Sequence, residues 1–409
     1  MAERIVFLHP DLGIGGAERL IVDAAVAVNQ SGYQVKIITN HHDPSHAFEE
    51  TRKSELNVTP VASWFPRSVF GRCLALCAYV RLLLAAFYLI FTCDKKTDVV
   101  VVDQISAPLP LLHLTLFYCH FPDLLLTDRK SRLKKIYRLF IDFIEEHSTG
   151  WADKIAVNSQ FTAGVFRQTF TSLKNVDLEV LYPVSNVSNL KLCRKALTKY
   201  VFVSINRYER KKNLQLILFS LTKPHEVHVV IAGGYDTRVL ENVEYHEELV
   251  ELARNLNVSA RILIPNWPFA LISSSPQVKN LLIASSDAVL YTPEGEHFGI
   301  VPVEAMFLSR PVIALDSGGP RETVSHGTTG FLCPTEPKVL LPVNYATQMS
   351  RCVLPITQNL FFCLLSNYDL NRYRSKPHVH RFTAFVGSSV GNVLVMSLTT
   401  SGGRASTQI

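Results

Sequence analysis

"DAVLYTPEGEHFGIVPVEA" (Asp287 to Ala305) opens with an apolar run of one strand's length, breaks at Pro293 and Gly295, and resumes at Gly299 as the start of an apolar helix. A strand, a turn and a helix in that order make one βα unit, and an uninterrupted apolar run marks a strand buried on both faces of a parallel sheet. Outward from it, "YVFVSIN", "VHVVIAGG" and "ARILIPN" come before and "PVIALDS" and "GFLC" after, with helical stretches between most of them. The first third alternates in the same way: "RIVFLHP", a helix from Gly16, "YQVKIITN", an apolar helix, "DVVVVDQ" and "LTLFYCHF". The expected fold class is therefore α/β, with two doubly wound, Rossmann-like domains.

A chain of 409 residues exceeds what one hydrophobic core usually organises. The reading places the first domain at residues 1–171, a linker at 172–199 where "YPVSNVSN" and mixed charge break the rhythm, and the second domain at 200–337. Residues 338–409 carry apolar clusters without a sustained helical period or clean strand alternation, so they read as an irregular C-terminal segment.

A hydrophobic fraction of 47% and a charged fraction of 19% are those of a folded protein, and a formal charge of +6 favours anionic partners. No aromatic and basic pattern of an RNA-binding module is present, so nucleic acid is not an expected partner. The eight cysteines show no C-x-x-C pair and no metal-ligand spacing, which suits a reducing compartment. "MAERIVFLHP" runs into a strand without the regions of a signal peptide, so the N-x-S/T sites at Asn57, Asn186 and Asn257 are expected to be unmodified.

Leu74 to Phe91, "LALCAYVRLLLAAFYLIF", reaches the length of a membrane span with Arg81 as its only charge. Three readings stand. It is a buried helix of the first domain, the reading that a central arginine favours; or a span; or a helix with one face on a bilayer, the basic run "DRKSRLKKIYR" (Asp128 to Arg138) lying against anionic headgroups. That run also reads as a solvated helix face.

In doubly wound domains, ligands bind outside the carboxyl ends of the strands. "HPDLGIGGAER" (His9 to Arg19) is a glycine-rich loop opening a helix, neither a P-loop nor a clean G-x-G-x-x-G. Gly15 and Gly16 let the backbone approach an anion, or they simply make a tight turn. "SINRYERKKN" (Ser204 to Asn213) sets Arg207 and Lys212 after a strand, where a forked guanidinium and a point charge can clamp a diphosphate. In the opening stretch, Gly299, Ile300 and Val301 start a helix whose free N–H groups suit phosphate oxygens. Glu304 in its second turn suits ribose hydroxyls, and Glu296 near the loop tip is free to meet a sugar. The plain alternative is a cap and an ordinary helix glutamate, but "DSGGPRE" (Asp316 to Glu322) adds a glycine turn after the next strand. His120 in "FYCHFPD" ends a strand and can bond a sugar hydroxyl or the reacting centre, and Asp103 is comparably placed on the acceptor side. No D-x-D motif is present to chelate a metal, and His41, His42 and His46 do not read as ligands, so no metal and no cofactor is expected.

"NRYERKKN", "EGEHFGIVPVEA" with its E-x7-E, "SGGPRE" and "TGFLC" together resemble the donor-binding half of retaining GT-B glycosyltransferases of family four, whose two facing domains enclose a cleft. "LHPDLGIGGAER", "FYCHFPDLLLT", "NSQFTAGVF" and "IAGGYDTRVLENVEY" resemble, more narrowly, the eukaryotic α-1,3/1,6-mannosyltransferases of dolichol-linked oligosaccharide assembly, over residues 4–335. The resemblance implies α-1,3 and α-1,6 transfer of mannose from GDP-mannose to a mannosylated chitobiose on dolichol diphosphate. It also implies membrane association at the cytoplasmic face of the endoplasmic reticulum, and a complex with other mannosyltransferases. By the same resemblance Arg207 and Lys212 bind the diphosphate, Glu304 the ribose and Glu296 the transferred mannose; Gly15 and Gly16 approach the diphosphate, and His120 contacts the mannose. Front-face attack, with the leaving phosphate as base, would give retention, so the two glutamates are not a glycosidase pair. Two rivals are weighed: a catalytically weak GDP-sugar-binding scaffold, prompted by residues 338–409, and a sugar-nucleotide epimerase, against which "HFGIVPVEAM" and "FYCHFPD" argue.

Overall fold

The computed structural model describes residues 4–52, 56–69, 73–94, 98–127, 129, 132–183, 200–222, 227–267, 276–334, 381–386 and 394–399. The chain divides into two compact units, residues 1–186 with 370–409, and residues 187–369.

The first unit runs β1 (Arg4–Leu12), α1 (Gly16–Gln30), β2 (Gln34–His42), α2 (Glu49–Arg52), β3 (Asn57–Pro60), α3 (Leu74–Thr92), β4 (Asp98–Asp103), β5 (Thr115–Cys119), α4 (Asp123–Leu126), α5 (Arg132–Thr149), β6 (Lys154–Val157), α6 (Gln160–Thr169) and β7 (Leu178–Val180). All seven strands are parallel, in the order β3-β2-β1-β4-β5-β6-β7. The valines of β4 show why the runs are continuous rather than alternating: Val99 and Val101 pack with Val22 and Ala25 of α1, while Val100 and Val102 pack with Leu82 and Ala85 of α3 on the other face. The expected linker start at 172 is corrected. Leu178 to Val180 pair with β6 as an edge strand, three residues too short to stand out in the sequence. Residues 184–199 of that linker, Asn186 among them, lie outside the described residues.

The second unit runs β8 (Tyr200–Ser204), α7 (Gln215–Ser220), β9 (Val227–Ile231), α8 (Leu240–Asn255), β10 (Ile262–Leu263), α9 (Pro276–Ser285), β11 (Ala288–Tyr291), α10 (Ile300–Phe307), β12 (Val312–Leu315), α11 (Pro320–Thr323) and β13 (Gly330–Cys333). Its parallel order, β10-β9-β8-β11-β12-β13, repeats the winding of the first unit. In both sheets the order reverses beside the first strand, between β1 and β4 and between β8 and β11. At such a point the loops leave in opposite directions and open a crevice at the carboxyl ends of the strands.

Within 338–409 the described residues form an antiparallel pair, β14 (Arg381–Val386) with β15 (Leu394–Thr399), registered Arg381 to Thr399 and Val386 to Leu394.

The helix α3 is long and apolar enough to cross a membrane. Leu82, Ala85 and Leu89 pack it on the first sheet, and Arg81 is turned inward, donating to the Asn40 carbonyl at 2.8 Å and lying 3.2 Å from Asp11 Oδ1. The central charge serves a partly exposed ion pair and a backbone carbonyl, which offset the cost of burying the guanidinium.

Candidate active site

Two clusters of polar side chains stand at the two points of strand reversal. In the second unit, the loop after β8 is pinned by Tyr208, fully buried with its hydroxyl 2.7 Å from the Pro265 carbonyl oxygen. Asn213 then takes a left-handed turn at φ 50°, and the Thr292 hydroxyl at the end of β11 donates to the Lys212 carbonyl at 2.7 Å. These bonds deliver the Lys212 ammonium to the Glu296 carboxylate, and the two form an ion pair. Glu296 is thus held rather than free at its loop tip, which corrects the expectation from sequence. The cause is that Lys212, on a loop 84 positions away, shares its crevice. Burial works to raise the Glu296 carboxyl, but the charge and hydrogen bond of Lys212 outweigh it and hold the group below the ordinary carboxylate range. The buried Tyr291 phenol is pushed far up, first by burial and then by the charge of Glu296, to which its hydroxyl bonds.

The "SGG" turn is the brace of this loop. Gly319 donates its N–H to the Glu296 carbonyl at 2.8 Å, and the Ser317 hydroxyl accepts from the Gly295 N–H at 2.9 Å. The backbones approach so closely that a Cβ on Gly319 would fall 2.3 Å from the Phe298 carbonyl oxygen. Gly318, at φ 63°, has the left-handed backbone that glycine alone adopts without cost.

Gly299, at φ 84°, caps α10, whose first residues Ile300 and Val301 carry N–H groups with no partner inside the helix. Pro302 is tolerated in this first turn because its missing N–H would have been an orphan. Glu304 departs from expectation. It is buried, with Oε1 2.5 Å from the Lys279 ammonium of α9. The carboxylate that the sequence suggests for a ribose thus has a cationic partner inside the unit. Arg207 is exposed, 2.9 Å from Glu209, whereas Arg210 leaves the crevice altogether for Glu244 and Glu248 of α8.

In the first unit, Asp103 at the end of β4 lies fully buried between two imidazoles. Its Oδ2 is 2.7 Å from His9 Nδ1 at the end of β1, and its Oδ1 is 2.7 Å from His120 Nε2 just after β5. Burial alone would raise the Asp103 carboxyl, but the charges and hydrogen bonds of His120 and His9 bring it down to about 2. Burial likewise opposes charging of His9, and the Asp103 hydrogen bond overcomes it, so His9 titrates above its ordinary value. Asp103 was expected to face an acceptor; enclosed as it is, it orients the histidines instead. His120 alone of the three keeps solvent access, with 19% of its side chain exposed. Gly15 caps α1 in an extended conformation, and the Glu18 carboxylate occupies the space a Cβ would need, 2.2 Å from it.

Sequence reading missed His9, Lys279 and Tyr291. "LHP" at a strand end was the available signal for His9; nothing in "PQVKNLLIAS" sets Lys279 apart. Among the described residues, no group of three or more His, Cys, Asp or Glu side chains is arranged to hold a metal ion.

Residues 193–340 match the family described as glycosyl transferases group 1, and residues 14–186 match glycosyltransferase family 4. The chain is similar to human alpha-1,3/1,6-mannosyltransferase ALG2, at 49% identity over 359 residues, covering 81% of this chain and 84% of the relative. Its similarity to the Mus musculus protein of the same name is 47% over 374 residues, 85% of this chain and 87% of the relative. Among solved structures, a glycosyltransferase from Rickettsia africae superimposes with a TM-score of 0.62 at 17% identity, over 90% of this chain and 94% of that one, a likeness of GT-B fold.

Proposed function

The chain belongs to the alpha-1,3/1,6-mannosyltransferase family of glycosyltransferases, and on that footing we propose that it transfers mannose from GDP-mannose to a mannosyl-chitobiose carried on dolichol diphosphate. It makes both the α-1,3 and the α-1,6 linkage, with retention and without a metal, at the cytoplasmic face of the endoplasmic reticulum membrane. The observation that carries this reading is the Lys212–Glu296 pair at the strand reversal of the second sheet, beside the N-terminus of α10. A donor diphosphate brings negative charge to a crevice that offers an ammonium, an exposed guanidinium at Arg207 and the N–H groups of Ile300 and Val301. Lys212 then exchanges its carboxylate partner for phosphate, and Glu296 is released to accept from a hydroxyl of the mannose. In the first unit, His120, held by Asp103 and partly exposed, is suited to bond a sugar hydroxyl, and Gly15 and Gly16 open α1 with a backbone that an anion can approach.

In the transfer, the bond from mannose C1 to the phosphate oxygen breaks, the acceptor hydroxyl oxygen bonds to C1 on the same face, and its proton passes to the departing phosphate. No protein nucleophile is required, so the carboxylates grip and position. The test is a comparison of GDP-mannose and UDP-glucose as donors to a mannosyl-chitobiose lipid in the presence of EDTA. Transfer from GDP-mannose alone, undiminished by the chelator, is expected. Loss of transfer on chelation, or a changed nucleotide sugar in the absence of acceptor, would overturn it.

A further inference from the structure

The helix α5 is mounted inside out. Apart from Ile141, packed with Tyr79 and Ala107, its buried side is polar: Arg138 lies 2.9 Å from Asp123 and 3.0 Å from Asp142, Glu145 accepts the N–H groups of Asp123 and Leu124 at 2.6 and 3.0 Å, and the Ser148 hydroxyl meets that of Ser106 at 2.8 Å. Its outer side carries Ile136, Leu139, Phe140, Phe143 and Ile144, spaced at the i, i+3, i+4, i+7 rhythm that usually marks a core-facing stripe. Phe140 is 70% exposed and Phe143 61%. Rotating the helix to bury these rings would strip every polar partner just named, so the outward apolar face is fixed by the fold. Leu126 of the neighbouring α4, also exposed, extends it.

The first turn of α5 adds a second oddity. Arg132, Lys134 and Lys135 are all exposed there, three cations at the positive end of a helix dipole, an arrangement unfavourable unless an anion lies outside the protein. An apolar aromatic stripe with basic residues at one end is the composition of a helix lying in the interface of an anionic bilayer.

We propose that the outer face of α5, with Leu126 of α4, is the surface by which the first unit docks on an anionic membrane, its rings in the acyl boundary and Arg132, Lys134 and Lys135 on the headgroups. The inference deepens the reading of a lipid-linked acceptor and rests on it for the choice of a bilayer as occupant. It has a consequence for the site: Glu145 and Arg138, on the inner side of α5, hold Asp123, three residues beyond His120. The His120 loop is therefore tied to the docked helix.

The test uses the full chain, diluted from detergent into phosphatidylcholine vesicles with or without phosphatidylserine and scored by cosedimentation. Phe140→Ser with Phe143→Ser is expected to lower partition by about tenfold or more on both vesicle types, with an unchanged melting temperature because both rings are exposed. Lys134→Glu with Lys135→Glu is expected to lose about tenfold only where phosphatidylserine is present. Unchanged partition in the aromatic variant would overturn the proposal, leaving the apolar helix α3 as the anchor. Unchanged partition together with loss of a concentration-dependent dimer would overturn it in favour of a second copy of the chain. Transfer to a water-soluble, short-chain acceptor separates the two claims. Wild type and both variants should act alike on it; failure of the wild type there sinks the transferase reading and leaves the vesicle result standing.

Discussion

The Lys212 ammonium and the Glu296 carboxylate, delivered by the loops after β8 and β11, form an ion pair at the strand reversal of the second sheet. Each is the other's counter-charge, so substitutions there act on stability and, on the proposed function, on transfer by different routes.

Glu296→Ala leaves the part-buried Lys212 without its partner and should cost about 1–3 kcal/mol of stability. Transfer should fall by about a hundredfold or more while GDP affinity is largely kept. Lys212→Ala should weaken both. Calorimetry with GDP and a lipid-acceptor assay separate the roles, and full activity in the glutamate variant would refute the assignment.

The brace gives a steric prediction. Gly319→Ala puts a Cβ 2.3 Å from the Phe298 carbonyl oxygen and must displace the Glu296 loop, at about 1–3 kcal/mol by analogy with overpacked cores. Thermal melts and transfer rates should fall together. A melt equal to wild type would mean that the two turns part without cost.

The Asp103 cluster predicts a pH profile for stability. The folded carboxyl titrates near 2, below its ordinary 3.8, so it contributes about 2 kcal/mol that is present above pH 4 and is lost as the pH falls toward 2. His9 has the opposite sign: its folded value is raised, so its share is complete below about pH 6.5 and is lost as the pH rises through the folded value. Asp103→Asn removes the buried partner of both histidines, costs about 3–5 kcal/mol, and should flatten the melting profile at both ends. A variant with the parental slopes would show that the carboxylate does not carry this linkage.

Arg81→Leu makes α3 more apolar and tests how that helix is used. As a packed helix it should lose about 1–3 kcal/mol, since the Asn40 carbonyl loses its donor and Asp11 one of its two arginines. A variant more stable than wild type in a bilayer would instead mark α3 as a span.

Much of the fold was legible because the chemistry of its strands is local. "DVVVV" and "DAVLY" declare strands buried on both faces, and the βα rhythm carried the two sheets and the loops that follow their strands. Contacts between distant residues were hidden. His9 and Asp103 are 94 positions apart, Lys212 and Glu296 84, and nothing in either neighbourhood names the partner. Glu304 is read from its place in the second turn of a helix and from the E-x7-E resemblance, neither of which says that Lys279 waits there. The same limit hid α5: periodicity shows that Phe140 and Phe143 share a face, and only the tertiary contacts of Arg138 and Glu145 show that this face is turned out. "RFTAFV" and "VLVMSLT", which hold the strands of the C-terminal pair, lack the alternation that would have marked them.

The most direct measurement is linkage analysis of the product made by the full chain from labelled GDP-mannose and a mannosyl-chitobiose diphosphate lipid, with Glu296→Gln alongside. The wild type should add both α-1,3- and α-1,6-linked mannose, and the variant neither. A chain that binds GDP yet makes no product, or that forms only one linkage, would contradict the assignment.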